Sequence, residues 1–350
     1  MTTRDLPNLD FVRSVAVISV VVTHTLLALK IYRFGGFDIA PLGVLGVFLF
    51  FVLTSLVLMW SLERKPHTLD FYVRRFFRIY PLAWATILIA LIFHAPTGGT
   101  AHDFFVYSHP TWKQVVDQSM LIEPQHADLV SVMWSLPYEV DMYILLPALF
   151  FFVRQNFSIW PLLVIWGLAL SIGRWVPSDQ HNFAVAVGYF LPGVMAYVGF
   201  GRGWKQWLPG WVLPVFLLGM GAIFLYHFNF HKGWYFCLMV GLALPMFRQM
   251  KSKWVTEPSR LIARYSYGVY LMHPFAIVIG MYLLRGHSVG VQLLAEAVPL
   301  VVLPVVAYHA LEHPMIRLGS RLAARAEATY EQREMEHFRE LPAGQGRAGT

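Results

Sequence analysis

The chain has 350 residues, 57% hydrophobic and only 13% charged, with 12 tryptophans and 27 phenylalanines. Soluble domains run near a quarter charged, so this composition and a mean hydropathy of +0.53 exclude an ordinary soluble globule and indicate a polytopic membrane protein. A single cysteine, Cys237, excludes an internal disulfide and a cysteine-built metal cage.

Apolar stretches near 9–30, 41–60, 79–95, 131–153, 158–174, 183–200, 209–226, 233–247, 261–283 and 291–312 each approach what a helix needs to cross about 30 Å of hydrocarbon. They predict an all-α transmembrane bundle of about ten spans. The first stretch has ionisable residues and no small-residue cleavage site, so it is expected to be a span and not a cleavable signal. Ten spans put both termini on one side. With that side cytoplasmic, 21 of the 27 Lys and Arg lie inside, leaving only Lys30, Arg33, Lys113, Arg174, Lys232 and Arg285 outside. This bias sets both termini in the cytoplasm. The net charge of +7 is then topological, and no nucleic-acid partner is expected. Residues 1–318 are read as a transmembrane domain and 319–350 as a charged cytoplasmic tail, an amphipathic helix ending in a disordered GQGRAGT.

The first span, LDFVRSVAVISVVVTHT, keeps Arg13 and His24 in a segment bound for lipid. The two are eleven residues apart, close to three helical turns, and share a face. From the rise per residue, Arg13 sits about 6 Å from the inner surface and His24 about 22 Å deep. Arg13 either snorkels to the surface or serves a site; His24 is either a satisfied polar residue or a functional one.

Before the third span, RRFFRIYP places Arg75 and Arg78 three apart on one helix face. An ordinary positive-inside loop accounts for basic residues here, and a clamp for phosphate groups accounts for their pitch. MWSLPYEVDMYILLP, residues 133–147, carries Glu139 and Asp141 among apolar neighbours. Glu139 is expected about 12 Å below the outer face, a depth His24 shares, so carboxylate and imidazole are expected to meet; the alternative is an acid at the outer interface. YSYGVYLMHPF aligns Ser266, Tyr270 and His273 on one face, which a packing stripe also explains. HFNFH, residues 227–231, has metal-pair spacing but no third ligand, and no metal site is expected.

Taken together these blocks resemble the acyltransferase-3 family of integral-membrane acyltransferases. The start matches LD-x-x-R with Arg and His separated by ten residues, carrying Asp10, Arg13 and His24. GVFLFFVLTS resembles a G-V-D-L-F-F-V-L-S-G block, and RRFFRIYP an R-x-x-R-I-x-P segment. MWSLPYEVDMYILLP resembles W-S-L-S-V-E-E-Q-F-Y-L-x-x-P, aligning Trp134, Glu139 and Tyr143. YSYGVYLMHP resembles S-Y-S-I-Y-L-x-H and carries His273, and LEHPMIRLG resembles a closing E-x-P segment. The chain departs from the pattern at Phe48, where the family has Asp, and at Val140, where it has a second Glu.

The resemblance implies transfer of an acyl group, usually acetyl from acetyl-CoA, to a hydroxyl of an extracytoplasmic carbohydrate: a glycan or a lipid-linked sugar. It further implies a multi-pass protein of a bacterial inner membrane, in contact with its lipids. On this basis His24 and Glu139 are expected to be catalytic. Arg13, Arg75, Arg78, Asp10, Trp134, Tyr143 and His273 are expected to bind substrate or donor. His24 serves such chemistry as general base or as acyl carrier. The rival expectation is a proton-coupled transporter or flippase of glycans or lipids, which also needs buried Arg, His and Glu.

Overall fold

The computed structural model describes residues 6–99, 104–107, 109–122, 129–175, 182–226 and 230–340. Each of the ten apolar stretches falls on a helix. The helices are α1 (Pro7–Ala28), α2 (Ala40–Arg64), α3 (Thr68–Ile92), the short amphipathic α4 (Trp112–Met120), α5 (Leu136–Asn156), α6 (Trp160–Gly173), α7 (Phe183–Gly201), α8 (Val212–Tyr226), α9 (Gly233–Ala243), α10 (Lys253–Ile277), α11 (Val289–Ala307) and α12 (His313–Glu340). Among the described residues, six helical runs are long and apolar enough to cross a membrane: Pro7–Ala28, Ala40–Arg64, Thr68–Ile92, Ser131–Gln155, Phe183–Gly201 and Val289–Glu327. The apolar α6, α8 and the Gly233–Met246 run are shorter. This is an all-α membrane protein.

Helix α2 and helix α7 form the centre. Nearly every residue of α7 from Val185 to Gly199 is buried, which only a helix surrounded by other helices permits. In hydrocarbon, helices associate through close packing and interhelical hydrogen bonds rather than through exclusion of water. Both are present. Ser55 of α2 donates to the Phe190 carbonyl of α7 at 2.6 Å. Gly46 of α2 rides directly on the Ala16 carbonyl of α1, leaving no room for a side chain. Asn8 tethers the start of α1 by accepting from the Met250 N–H at 2.9 Å and donating to the Arg248 carbonyl at 3.0 Å.

The α1–α2 connection is a two-residue hairpin, Arg33–Phe34 against Phe37–Asp38, turning through Gly35 and Gly36 at φ of +56° and +89°. Such a turn needs positive φ at both central residues, hence the glycine pair. Two helices continue through π-helical turns: α10 into Val278–Tyr282, and α11 through Tyr308–Glu312 into α12.

Three boundaries differ from those expected. Helix α3 begins at Thr68, eleven residues before the apolar stretch, and α10 begins at Lys253. Hydropathy ends where charge begins, but helical hydrogen bonding does not. The first turn of α3 carries Asp70, which pairs with Arg74 one turn later at 2.7 Å. The last span and the tail form one helical run through the π-turn, joined at 312/313 where 318/319 was expected. The terminal GQGRAGT segment lies outside the described residues.

Candidate functional site

Helix α1 buries Leu9, Val12, Ala16, Val20, Thr23 and Leu27, spaced by three and four, against α2 and α10. Arg13 and His24 flank that stripe and enter two separate cavities.

The first cavity, of about 280 Å³, gathers Arg13 from α1, Arg75 and Arg78 from α3, Glu139 and Tyr143 from α5, and Ser266, Tyr267 and Tyr270 from α10. The apolar wall comes from α2, through Val47, Phe50 and Phe51. The three guanidinium groups are not equivalent. Arg78 forms an ion pair with Glu312, whose side chain is fully buried, and lies 5.5 Å from the centre of the Tyr267 ring. The π-turn at Tyr308–Glu312 brings that carboxylate to α3. Arg13 and Arg75 make no hydrogen bond or ion pair among the described residues, and Arg75 Nε is buried without a partner. Glu139 accepts from the Tyr143 hydroxyl at 2.8 Å and stands in the field of all three arginines. The chamber therefore carries more positive charge than its carboxylates neutralise. A buried surplus of this kind suits a polyanion held by charge-assisted hydrogen bonds.

The second cavity, of about 200 Å³, holds His24 with Thr23, Gly43, Val44, Phe104, Ser131 and Trp134. His24 Nδ1 lies 2.7 Å from Nε2 of His273 on α10, and the rings are nearly parallel, 7° apart. The Thr23 hydroxyl lines this cavity, buried and without a hydrogen-bond partner among the described residues. Val47 and Tyr270 line both cavities, so the two spaces abut at these side chains. Tyr270 is fixed there because its hydroxyl donates to the Val132 carbonyl and accepts from Ser135 Oγ at 2.8 Å.

The candidate residues thus fall into two groups. Arg13, Arg75, Arg78, Glu139 and Tyr143 meet in the first cavity, and His24 and Trp134 line the second. His273, fully buried, meets His24. Asp10 lines neither; it faces Arg13 and Arg260 at the start of α1. The expected pairing of Glu139 with His24 gives way to two others, because Glu139 points among the arginines and His273 takes the imidazole. Depth along the membrane normal is shared by many residues, whereas azimuth around the helix decides which side chains touch. Glu312, Thr23 and the dividing role of Tyr270 were not anticipated. The acid of the closing E-x-P segment LEHPMIRLG, to which no role was assigned, was the available signal for Glu312. Residues 227–229 of the HFNFH pair lie outside the described residues.

Comparison with known proteins agrees in kind. A family model described as an acyltransferase domain matches residues 6–309. Over 190 residues, 51% of this chain, the sequence is 33% identical to the acyltransferase MdmB of Streptomyces mycarofaciens, covering 45% of that protein. Over 157 residues, 41% of this chain, it is 27% identical to the peptidoglycan O-acetyltransferase OatA of Listeria monocytogenes, covering 24% of it. The chain thus matches less than half the length of either relative. No solved structure matches it.

Proposed function

The chain belongs to the acyltransferase family whose model spans residues 6–309, and from that premise we propose that it moves an acyl group, acetyl in the first instance, from cytoplasmic acyl-CoA to a hydroxyl of an extracytoplasmic carbohydrate. The observation that carries this reading is the abutment of two unlike cavities at Val47 and Tyr270. One is cationic beyond its own carboxylates. The other holds an imidazole.

The phosphates of CoA are the polyanion for the first cavity. Arg13 and Arg75, which make no hydrogen bond or ion pair among the described residues, contact them, while Arg78 is shared with Glu312. Guanidinium groups suit this task because their forked donors match phosphate oxygens. The pantetheine arm then extends along the apolar wall of α2 toward Tyr270. The acceptor hydroxyl enters the second cavity, where the Thr23 hydroxyl, without a hydrogen-bond partner among the described residues, orients it beside His24. His24 takes the hydroxyl proton as the oxygen forms its bond to the acyl carbonyl carbon. The carbon–sulfur bond breaks, and CoA leaves as the thiol with the proton that His24 returns.

Charge supports the direction. The end of the bundle carrying Arg64, Lys65, Arg74 and Arg75 is the basic end, and positive loops face the cytoplasm. Ten spans with both termini inside, in a bacterial cytoplasmic membrane, complete the proposal. A transporter or flippase would need the two cavities to open alternately; the internal repeats on which such motion is often built are not visible in this sequence.

The experiment is a membrane assay with radiolabelled acetyl-CoA added to inverted vesicles that contain the protein and host glycans. Label in the glycan fraction, dependent on the protein, is the expected result. Acetyl-CoA that binds without any transfer of label would overturn the reading.

A further inference from the structure

His273 is fully buried, belongs to α10, and has no place in the polyanion chamber. Its two ring nitrogens are both engaged. Nδ1 lies 3.1 Å from the Val269 carbonyl oxygen, one turn back on the same helix, and Nε2 lies 2.7 Å from Nδ1 of His24. A carbonyl oxygen has lone pairs and no proton, so His273 Nδ1 must carry the hydrogen in that bond. A neutral imidazole carries one N–H, which leaves His273 Nε2 as an acceptor. The hydrogen in the inter-ring bond then belongs to His24 Nδ1. His24 Nε2, the remaining nitrogen, keeps its lone pair.

From this chain of hydrogen bonds we propose that His273 is the positioning residue of the His24 base: it reads the polarity of the α10 backbone at Val269 and imposes on His24 the tautomer whose Nε2 can accept a proton or an acyl group. The proposal deepens the acyltransferase reading and rests on it for the identity of the base. It assigns no substrate contact to His273.

The arrangement does what a carboxylate does in a Ser-His-Asp triad, holding the imidazole by its Nδ1–H. It does so without a charge. In a membrane interior that difference matters, because a buried carboxylate needs a counter-charge and a neutral imidazole does not. Among the described residues, Glu139 is the one carboxylate lining either cavity, and it is already committed to Tyr143 and the arginines. The near-parallel rings also fix the plane of His24, and the Phe104 ring packs against it with centroids 5.6 Å apart. Tyr270, 6.2 Å from His273 and pinned by Ser135, packs beside the pair at the boundary between the cavities.

The test compares His273→Gln with His273→Phe. Glutamine places a carbonyl oxygen where it can accept the His24 Nδ1–H, and phenylalanine fills the space and accepts nothing. Both variants are purified, and thermal unfolding establishes that both fold. Label transfer from acetyl-CoA to host glycan gives kcat and KM for the donor. The phenylalanine variant should lose at least about a hundredfold in kcat, the range that a misoriented imidazole costs, with KM for acetyl-CoA unchanged. The glutamine variant should recover to within about tenfold of wild type. Equal loss in both variants, or wild-type kcat in the phenylalanine variant, overturns the positioning role. Failure of the underlying reading is separable: then wild-type protein itself transfers nothing, or His24→Ala transfers normally.

Discussion

Arg78 of α3 and Glu312, 234 residues later, form an ion pair that joins the polyanion chamber to the helical run leading into α12. The carboxylate is buried and the guanidinium is about one-third exposed, with its face toward Tyr267. The pair divides the three arginines by role: Arg78 ties helices together, and Arg13 and Arg75 remain open to a ligand. Removing the carboxylate leaves Arg78 without its counter-charge beside two other guanidinium groups, at a cost below the roughly 3–5 kcal/mol of a fully buried pair because Arg78 keeps some contact with water. Glu312→Ala should therefore lower the thermal stability of the purified protein sharply. A midpoint within a degree of wild type would show that the pair holds nothing.

The open arginines should affect binding rather than folding. Arg13→Gln with Arg75→Gln should weaken acetyl-CoA binding at least tenfold, since one charge-assisted contact contributes about 1.5–3 kcal/mol. Stability should change little, because neither guanidinium makes a hydrogen bond or ion pair among the described residues and removing both lessens the mutual repulsion of the three arginines. Equilibrium binding to detergent-solubilised protein measures it, and unchanged affinity would move the donor site elsewhere.

Packing between α1 and α2 sets the relative position of the two cavities. A methyl at Gly46 would collide with the Ala16 carbonyl, which as backbone cannot turn aside. Gly46→Ala should cost about 1–3 kcal/mol by overpacking. Unfolding monitored by tryptophan fluorescence should register the loss, whereas Gly219→Ala on α8, with open space around it, should not.

Orientation can be read chemically. Cys237 is the single cysteine of the sequence, so a Cys237→Ala background is silent toward thiol reagents. Cysteines introduced at Ser288, in the exposed turn before α11, and at Ser320 on α12 should differ toward an impermeant reagent outside intact cells. Ser288→Cys should label and Ser320→Cys should not. The reverse pattern would invert the topology.

The sequence made much of this architecture legible, for physical reasons that also mark where it stopped. Apolar length identified the helices because lipid admits little else. Arg13 and His24 stood out because charge in hydrocarbon is costly, and their shared face followed from helical pitch. What pitch cannot give is the partner across the interface. Glu139 was the expected partner of His24 and His273 only a binding candidate, and the rotation of α5 and α10 decided that His273 met it. Glu312 was hidden because a π-turn, inserted after Pro304, shifts the register of everything following it. Phe48, where the family pattern has an acid, is instead packed flat on Tyr189 at 4.4 Å within the core.

The central claim is that His24 carries the chemistry while the arginines hold the donor. The most direct measurement is acyl transfer and acetyl-CoA binding on one preparation of His24→Gln. An amide can hydrogen-bond but cannot take a proton at neutral pH, so transfer should fall to background while acetyl-CoA binds with wild-type affinity. Near-normal transfer by purified His24→Gln would make the histidine a structural residue and contradict the account.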